Sequence, residues 1–79
     1  MGALYAFAQA LDEEPNKFLT RHANGEWGEV DDHDRKANEY ALEHGLRVMS
    51  VYTLSSGERI WIITEADRRS TTILLPSEY

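Results

Sequence analysis

Apolar and polar positions alternate along this chain in two different periods, first helical and then strand-like. Leu4, Phe7, Ala8 and Leu11 recur at the spacing of one helical stripe, which predicts a helix over residues 3 to 11. Asp12, Glu13, Glu14 and Pro15 end it, because Pro lacks a backbone donor and biases the residue before it away from helical torsions. Pro also suits the first position of a new helix, and a second short helix is predicted from about Pro15 to Ala23 with Phe18, Leu19 and His22 inward. Asn24 and Gly25 stop it. Glu26-Trp27-Gly28-Glu29-Val30 then reads as a tight connector with its indole buried between two glycines.

Asp31 is placed to cap a third helix, with Asp32 and Asp34 in the first turn, where the helix dipole favours carboxylates. Asp34, three residues after the cap, makes an approximate capping box. The inward stripe is expected at Ala37, Tyr40, Ala41 and His44, with Gly45 closing the helix. From residue 46 the period changes. Residues 46–54, 59–65 and 71–75 are rich in β-branched and aromatic side chains and are separated by short polar turns, the first containing Gly57. Pro76 ends the last strand. The expectation is an α+β chain: two or three short N-terminal helices, then a three-stranded antiparallel β-meander, in one domain over residues 1–79. If Ser56-Gly57 is a two-residue loop, Val48, Tyr52, Leu54, Trp61 and Ile63 share one sheet face, and Met49, Val51, Ile60 and Ile62 the other. Both faces are apolar. Either helices and the N-terminal segment sandwich the sheet, or one face is left as a surface for a homodimer or another partner.

Composition narrows the function classes. A chain of 79 residues is near the lower limit for a self-sufficient core, and without Cys it has no disulfide or thiolate site to staple it. The absence of Cys fits a reducing cytoplasm. No apolar run approaches the roughly 20 residues needed to cross a bilayer, and the N-terminal stretch lacks the basic flank of a secretory signal. The net charge is −6, and all of it belongs to residues 1–34, which hold eight acids and two bases; residues 35–79 hold six of each. Phosphate contacts need positive charge, so direct nucleic-acid binding by the acidic half is disfavoured and a cationic partner surface is attracted.

No catalytic motif is legible. His22, His33 and His44 are evenly spaced and match no standard zinc pattern. His22 and His44 are expected near helix ends, where the dipole stabilises a cation, and His33 in a solvated first turn. Asp32-His33-Asp34 with Ser50, Ser55, Ser56 or Ser70 contains the residue types of a hydrolytic triad but no nucleophile elbow or oxyanion loop. The alternation at Asp32 and Asp34 is broken by Arg35 and Lys36, unlike a calcium loop. Gly25 to Gly28 lacks the Lys-Ser/Thr ending of a phosphate loop. No enzyme activity, metal or cofactor is expected. Asp67 is expected to pair with Arg68 or Arg69 in the last turn, and Trp27 and Trp61 to belong to the core.

Certain residues carry a resemblance: Arg21-His22, Gly25-Glu26-Trp27-Gly28, Asn38, Ala41-Leu42, Gly45, Ser50 and Tyr52. To these are added Ile60-Trp61-Ile62-Ile63-Thr64-Glu65-Ala66-Asp67-Arg68, Thr71-Thr72-Ile73-Leu74-Leu75-Pro76 and Glu78-Tyr79. Together they resemble a family of small proteins encoded on plasmids, integrative elements and phages. Relatives often have Asp where this chain has Glu26, and some are labelled a type I restriction subunit, though a chain this small holds no such catalytic machinery. The resemblance implies small acidic cargo of a mobile element and carries no established activity. Mobile elements meet restriction and CRISPR systems, whose effectors hold basic DNA-binding clefts. The expectation is an anti-CRISPR or anti-restriction inhibitor that occupies such a surface, acting as a DNA mimic. Its contact residues would be Glu26, Glu29, Asp31, Asp32 and Asp34, with Asp12, Glu13 and Glu14 as a second patch. The alternative is a non-enzymatic structural or regulatory module that dimerises through its sheet.

Overall fold

The computed structural model describes residues 15–78. The helix expected over residues 3 to 11, and Asp12, Glu13 and Glu14, lie outside them. Within them the chain is α+β. Helices α1 (Pro15–Ala23) and α2 (Asp32–His44) precede strands β1 (Val48–Thr53), β2 (Arg59–Thr64) and β3 (Thr71–Leu74), and a short 3-10 turn follows at Pro76–Glu78. The strands form one antiparallel sheet in the order β1-β2-β3.

Local chemistry accounts for the helix ends. Asp31 is extended (φ −79°, ψ 177°), and its Oδ1 accepts the backbone N–H of Asp34 at 2.8 Å. Gly45 is left-handed (φ 66°) and its N–H returns to the Ala41 carbonyl. In α1, Phe18 and His22 are buried and Leu19 is half-buried, as its periodicity predicts. The stripe expected for α2 is corrected. Asn38 and Ala41 are its buried residues, while Ala37, Tyr40 and His44 are exposed. The polar Asn38 faces inward because its carboxamide bonds the edge of the sheet. Nδ2 donates to the Met49 carbonyl at 2.7 Å, and Oδ1 accepts the Met49 N–H at 3.1 Å. That pairing turns α2 about its axis relative to the apolar stripe.

The register is also corrected. Gly57 N–H bonds the Leu54 carbonyl at 2.9 Å, and Leu54 N–H bonds the Glu58 carbonyl at 2.8 Å. The loop therefore has three residues, Ser55, Ser56 and Gly57, with Gly57 left-handed (φ 90°), as in a type I turn followed by a glycine bulge. Val48 is opposite Thr64, Ser50 opposite Ile62 and Tyr52 opposite Ile60, and across β2 Ile62 is opposite Ile73. One residue of shift exchanges the faces of β2. Ile60 and Ile62, not Trp61 and Ile63, lie on the side of Val48, Tyr52 and Leu54.

That side carries the larger core. Phe18 of α1 packs with Tyr52, Leu54, Ile60 and Ile62, and with the half-buried Leu19, Ile73 and Leu75. A smaller cluster joins Trp27, Ala41 and Val48, with Val30 against it. Val51 and Ile63 on the opposite side are buried too, and Trp61 is half-buried. Ile60 is wholly buried, so substitution there tests the core, not a dimer surface.

The connector completes the edge of β1. Val51 N–H donates to the Trp27 carbonyl at 2.9 Å, and Glu29 N–H donates to the Val51 carbonyl at 2.7 Å, a parallel bridge centred on Gly28. A Cβ on Gly28 would lie 2.0 Å from the Val51 carbonyl oxygen, and its φ is +77°. Only glycine fits there. Asn38 and the Trp27–Glu29 backbone thus satisfy the edge-facing backbone groups of Met49 and Val51 in β1.

Candidate functional site

The connector and the first turn of α2 bring the expected contact acids onto one exposed stretch. Glu26, Glu29, Asp31, Asp32 and Asp34 are all exposed. Three have an arginine close by: Glu26 is 3.9 Å from Arg21, Glu29 3.5 Å from Arg59 and Asp32 3.5 Å from Arg35. Such exposed pairs contribute about 0–1 kcal/mol each, so they hold the side chains loosely. They also dilute the negative charge, and the stretch is less like a bare phosphate row than its composition implies. Glu29 and Arg59 join the connector to the hairpin across 30 positions of sequence, a pairing no local pattern reveals.

Asp31, His33 and Asp34 each offer a ligand atom within 4.8 Å of the others, all exposed. Asp31 Oδ1 already holds the Asp34 N–H, and the Asp34 carboxylate lies 3.6 Å from the His33 ring. The grouping follows from their spacing in one capped turn. His33 is 92% exposed, whereas Ser50 is wholly buried and meets His22 instead. The residue types of a triad are therefore not assembled around His33. Ser55, Ser56 and Ser70 lie in exposed turns.

The polar cluster that the sequence does not reveal lies around His22. Its Nδ1 is 2.5 Å from the Ser50 hydroxyl, and its Nε2 is 2.8 Å from the Thr64 hydroxyl, which lies 2.9 Å from that of Thr71. The Trp27 indole stands edge-on to the imidazole, with ring centroids 5.7 Å apart. Burial lowers the pKa of His22, the reverse of the helix-end cation its position implies: desolvation outweighs the dipole. Nearby, the Tyr52 hydroxyl donates to the Glu26 carbonyl, and the Arg21 guanidinium lies 4.7 Å from the centre of the Tyr52 ring. Burial raises the Tyr52 pKa. Ser50 is wholly buried, and its hydroxyl, the His22 ring and the Thr64 hydroxyl form a hydrogen-bonded network that ties α1 to β1 and β2. No buried side-chain polar atom among the described residues lacks a partner.

In the last turn Asp67 pairs with Arg69, as expected, through a local turn bond in which its Oδ1 accepts the Arg69 backbone N–H at 3.0 Å. Among the described residues no helix is long and apolar enough to cross a membrane. Comparison with protein-family models, curated proteins and solved structures finds no match to this chain.

Proposed function

We propose that this chain is a non-enzymatic binding protein whose acidic stretch engages a basic, nucleic-acid-binding surface of a bacterial defence effector, as an anti-CRISPR or anti-restriction inhibitor. The observation that supports this reading is the exposure of all five acids from Glu26 to Asp34 on one continuous segment. Complementary charge steers encounter and fixes orientation more than it sets affinity. The loosely held ion pairs leave these carboxylates able to exchange their own arginines for a partner's. The sequence resemblance to mobile-element proteins supplies the biological setting.

The test separates charge from fold. Glu26→Gln, Glu29→Gln, Asp31→Asn, Asp32→Asn and Asp34→Asn are combined in one variant; Asn at position 31 retains the helix cap without its charge. Plasmid establishment is measured in cells carrying an active CRISPR or type I restriction system, with the native protein, the variant or neither. The native protein should raise establishment, and the variant should lose that effect while its circular dichroism and melting stay native. No protection by the native protein, or equal protection by the variant, overturns the reading.

A further inference from the structure

A cleft of about 340 Å³ opens at one end of the sheet, where the C-terminal end of α1, the flank of α2, the start of β1 and the end of β2 meet the β2–β3 turn. Ligand pockets begin at about 300 Å³, so it is large enough for a single ring or a branched aliphatic chain. Trp27, Leu42 and Val48 supply apolar wall, while His22, Thr64 and Arg68 supply polar groups. Leu42 remains 54% exposed although it forms part of that wall, so apolar surface is left uncovered at the mouth.

Arg68 is the unusual member. It is the one non-glycine residue with positive φ (63°) among the described residues, a conformation disfavoured for a side-chain-bearing residue. The turn imposes it, through the Arg68 N–H bonded to the Glu65 carbonyl at 2.9 Å. The guanidinium is aimed at backbone carbonyls: Leu46 at 2.6 Å, Glu65 at 3.2 Å and Ala41 at 3.4 Å. These neutral acceptors fix its position without neutralising it, and no carboxylate among the described residues forms an ion pair with it. A guanidinium has five N–H donors in a rigid fork, so donors remain for a ligand. The helix ends facing the cleft are capped: the Thr20, Arg21 and His22 carbonyls receive the N–H groups of Asn24, Glu26 and Gly25, and Ala41 receives that of Leu46. Their pull against an anion is correspondingly muted. His22 has both ring nitrogens engaged and forms neutral floor beside the Thr64 hydroxyl.

We propose that this cleft binds a small organic anion, a carboxylate on a phenyl or branched aliphatic body, with the carboxylate on Arg68 and the body against Trp27, Leu42 and Val48. The site shares Trp27 with the acidic stretch but uses none of its carboxylates, and its test stands or falls independently of the inhibitor reading.

The full chain is titrated at neutral pH with phenylpropanoate, with the neutral phenylpropanamide and with phenylpropylammonium, followed by amide-resolved NMR. Phenylpropanoate should give saturable millimolar shifts at Gly25, Thr64, Arg68 and the Trp27 indole. The amide should bind about fivefold more weakly or worse, since charge-assisted bonds are roughly twice as strong as neutral ones. Arg68→Gly, which takes positive φ without strain, should erase the difference between acid and amide. Leu42→Gln, which changes a side chain and none of the backbone carbonyls that Arg68 bonds, should weaken acid and amide by the same factor and keeps the test decisive if Arg68→Gly loses its fold. Absence of saturable shifts, equal binding of acid and amide to the native chain, preference for the ammonium, or shifts mapping away from the cleft would overturn the proposal.

Discussion

The Asn38 carboxamide pairs with both backbone groups of Met49, donating to its carbonyl at 2.7 Å and accepting its N–H at 3.1 Å. One side chain thus takes the place of a neighbouring strand at that point of β1. Asn38→Ala should destabilise the chain by about 2–4 kcal/mol, because two partly buried backbone groups lose their partners. Asn38→Asp retains the acceptor but sets a carboxylate against the Met49 carbonyl, and should also destabilise. Urea denaturation with an unchanged slope would show that the loss lies in stability and not in the compactness of either state.

Gly28 and Gly57 both have positive φ, but they should answer differently to substitution. At Gly57 an added Cβ meets nothing within 4 Å, so Gly57→Ala should cost only the torsional strain, about 1 kcal/mol. At Gly28 the same methyl would meet the Val51 carbonyl at 2.0 Å and the Tyr52 ring at 2.7 Å. Gly28→Ala should break the bridge to β1 and cost about 3 kcal/mol or more, as close overpacking does. Thermal melting of the two variants side by side checks the ranking.

His22 should make the fold sensitive to mild acid. Its pKa in the folded chain is lowered by burial from the ordinary 6.5. Between that lowered value and the ordinary one, the unfolded chain binds the proton more readily, so stability rises with pH. The contribution is fully present above the ordinary value and is lost progressively as pH falls through it toward the folded value. His22→Gln should flatten this part of the stability profile, read from denaturant midpoints across the mildly acidic range. A native profile with no slope there would contradict the burial argument.

Asp31 should act first as a cap. Asp31→Ala should cost about 1 kcal/mol, whereas Asp31→Asn, which can accept the same Asp34 N–H, should cost little. The pair of melting curves separates the hydrogen bond from the charge, and an equal loss in both variants would assign the stabilisation to charge alone.

Much of this fold is legible locally. Pro15, Asp31 and Gly45 mark helix ends through their own torsional and hydrogen-bonding chemistry, and the β-branched segments mark the strands. What escapes is set by distant partners. The apolar stripe of α2 points to Tyr40 and His44, yet a polar residue decides the rotation because the unpaired edge of β1 needs a donor and an acceptor. The sheet faces depend on whether the hairpin loop holds two residues or three, which Ser55-Ser56-Gly57 leaves ambiguous. The exposed acids can be read from sequence, and the i,i+3 spacing of Asp32 and Arg35 allows their pairing, but the neighbour of Glu29 cannot be read, since Arg59 comes to it only through the fold. His22, Ser50 and Thr64 meet from three elements, and no spacing announces them.

The parallel bridge at Gly28 also sets where this protein can grow. A sheet edge with unpaired backbone groups is a template for further strands. On β1 those of Met49 and Val51 are taken up, by Asn38 and by the connector. Among the described residues the other edge strand is β3, at Thr71–Leu74, which is four residues long and soon followed by Pro76. The same glycine that admits the connector to the sheet thus shortens the stretch of β1 edge open to a further strand.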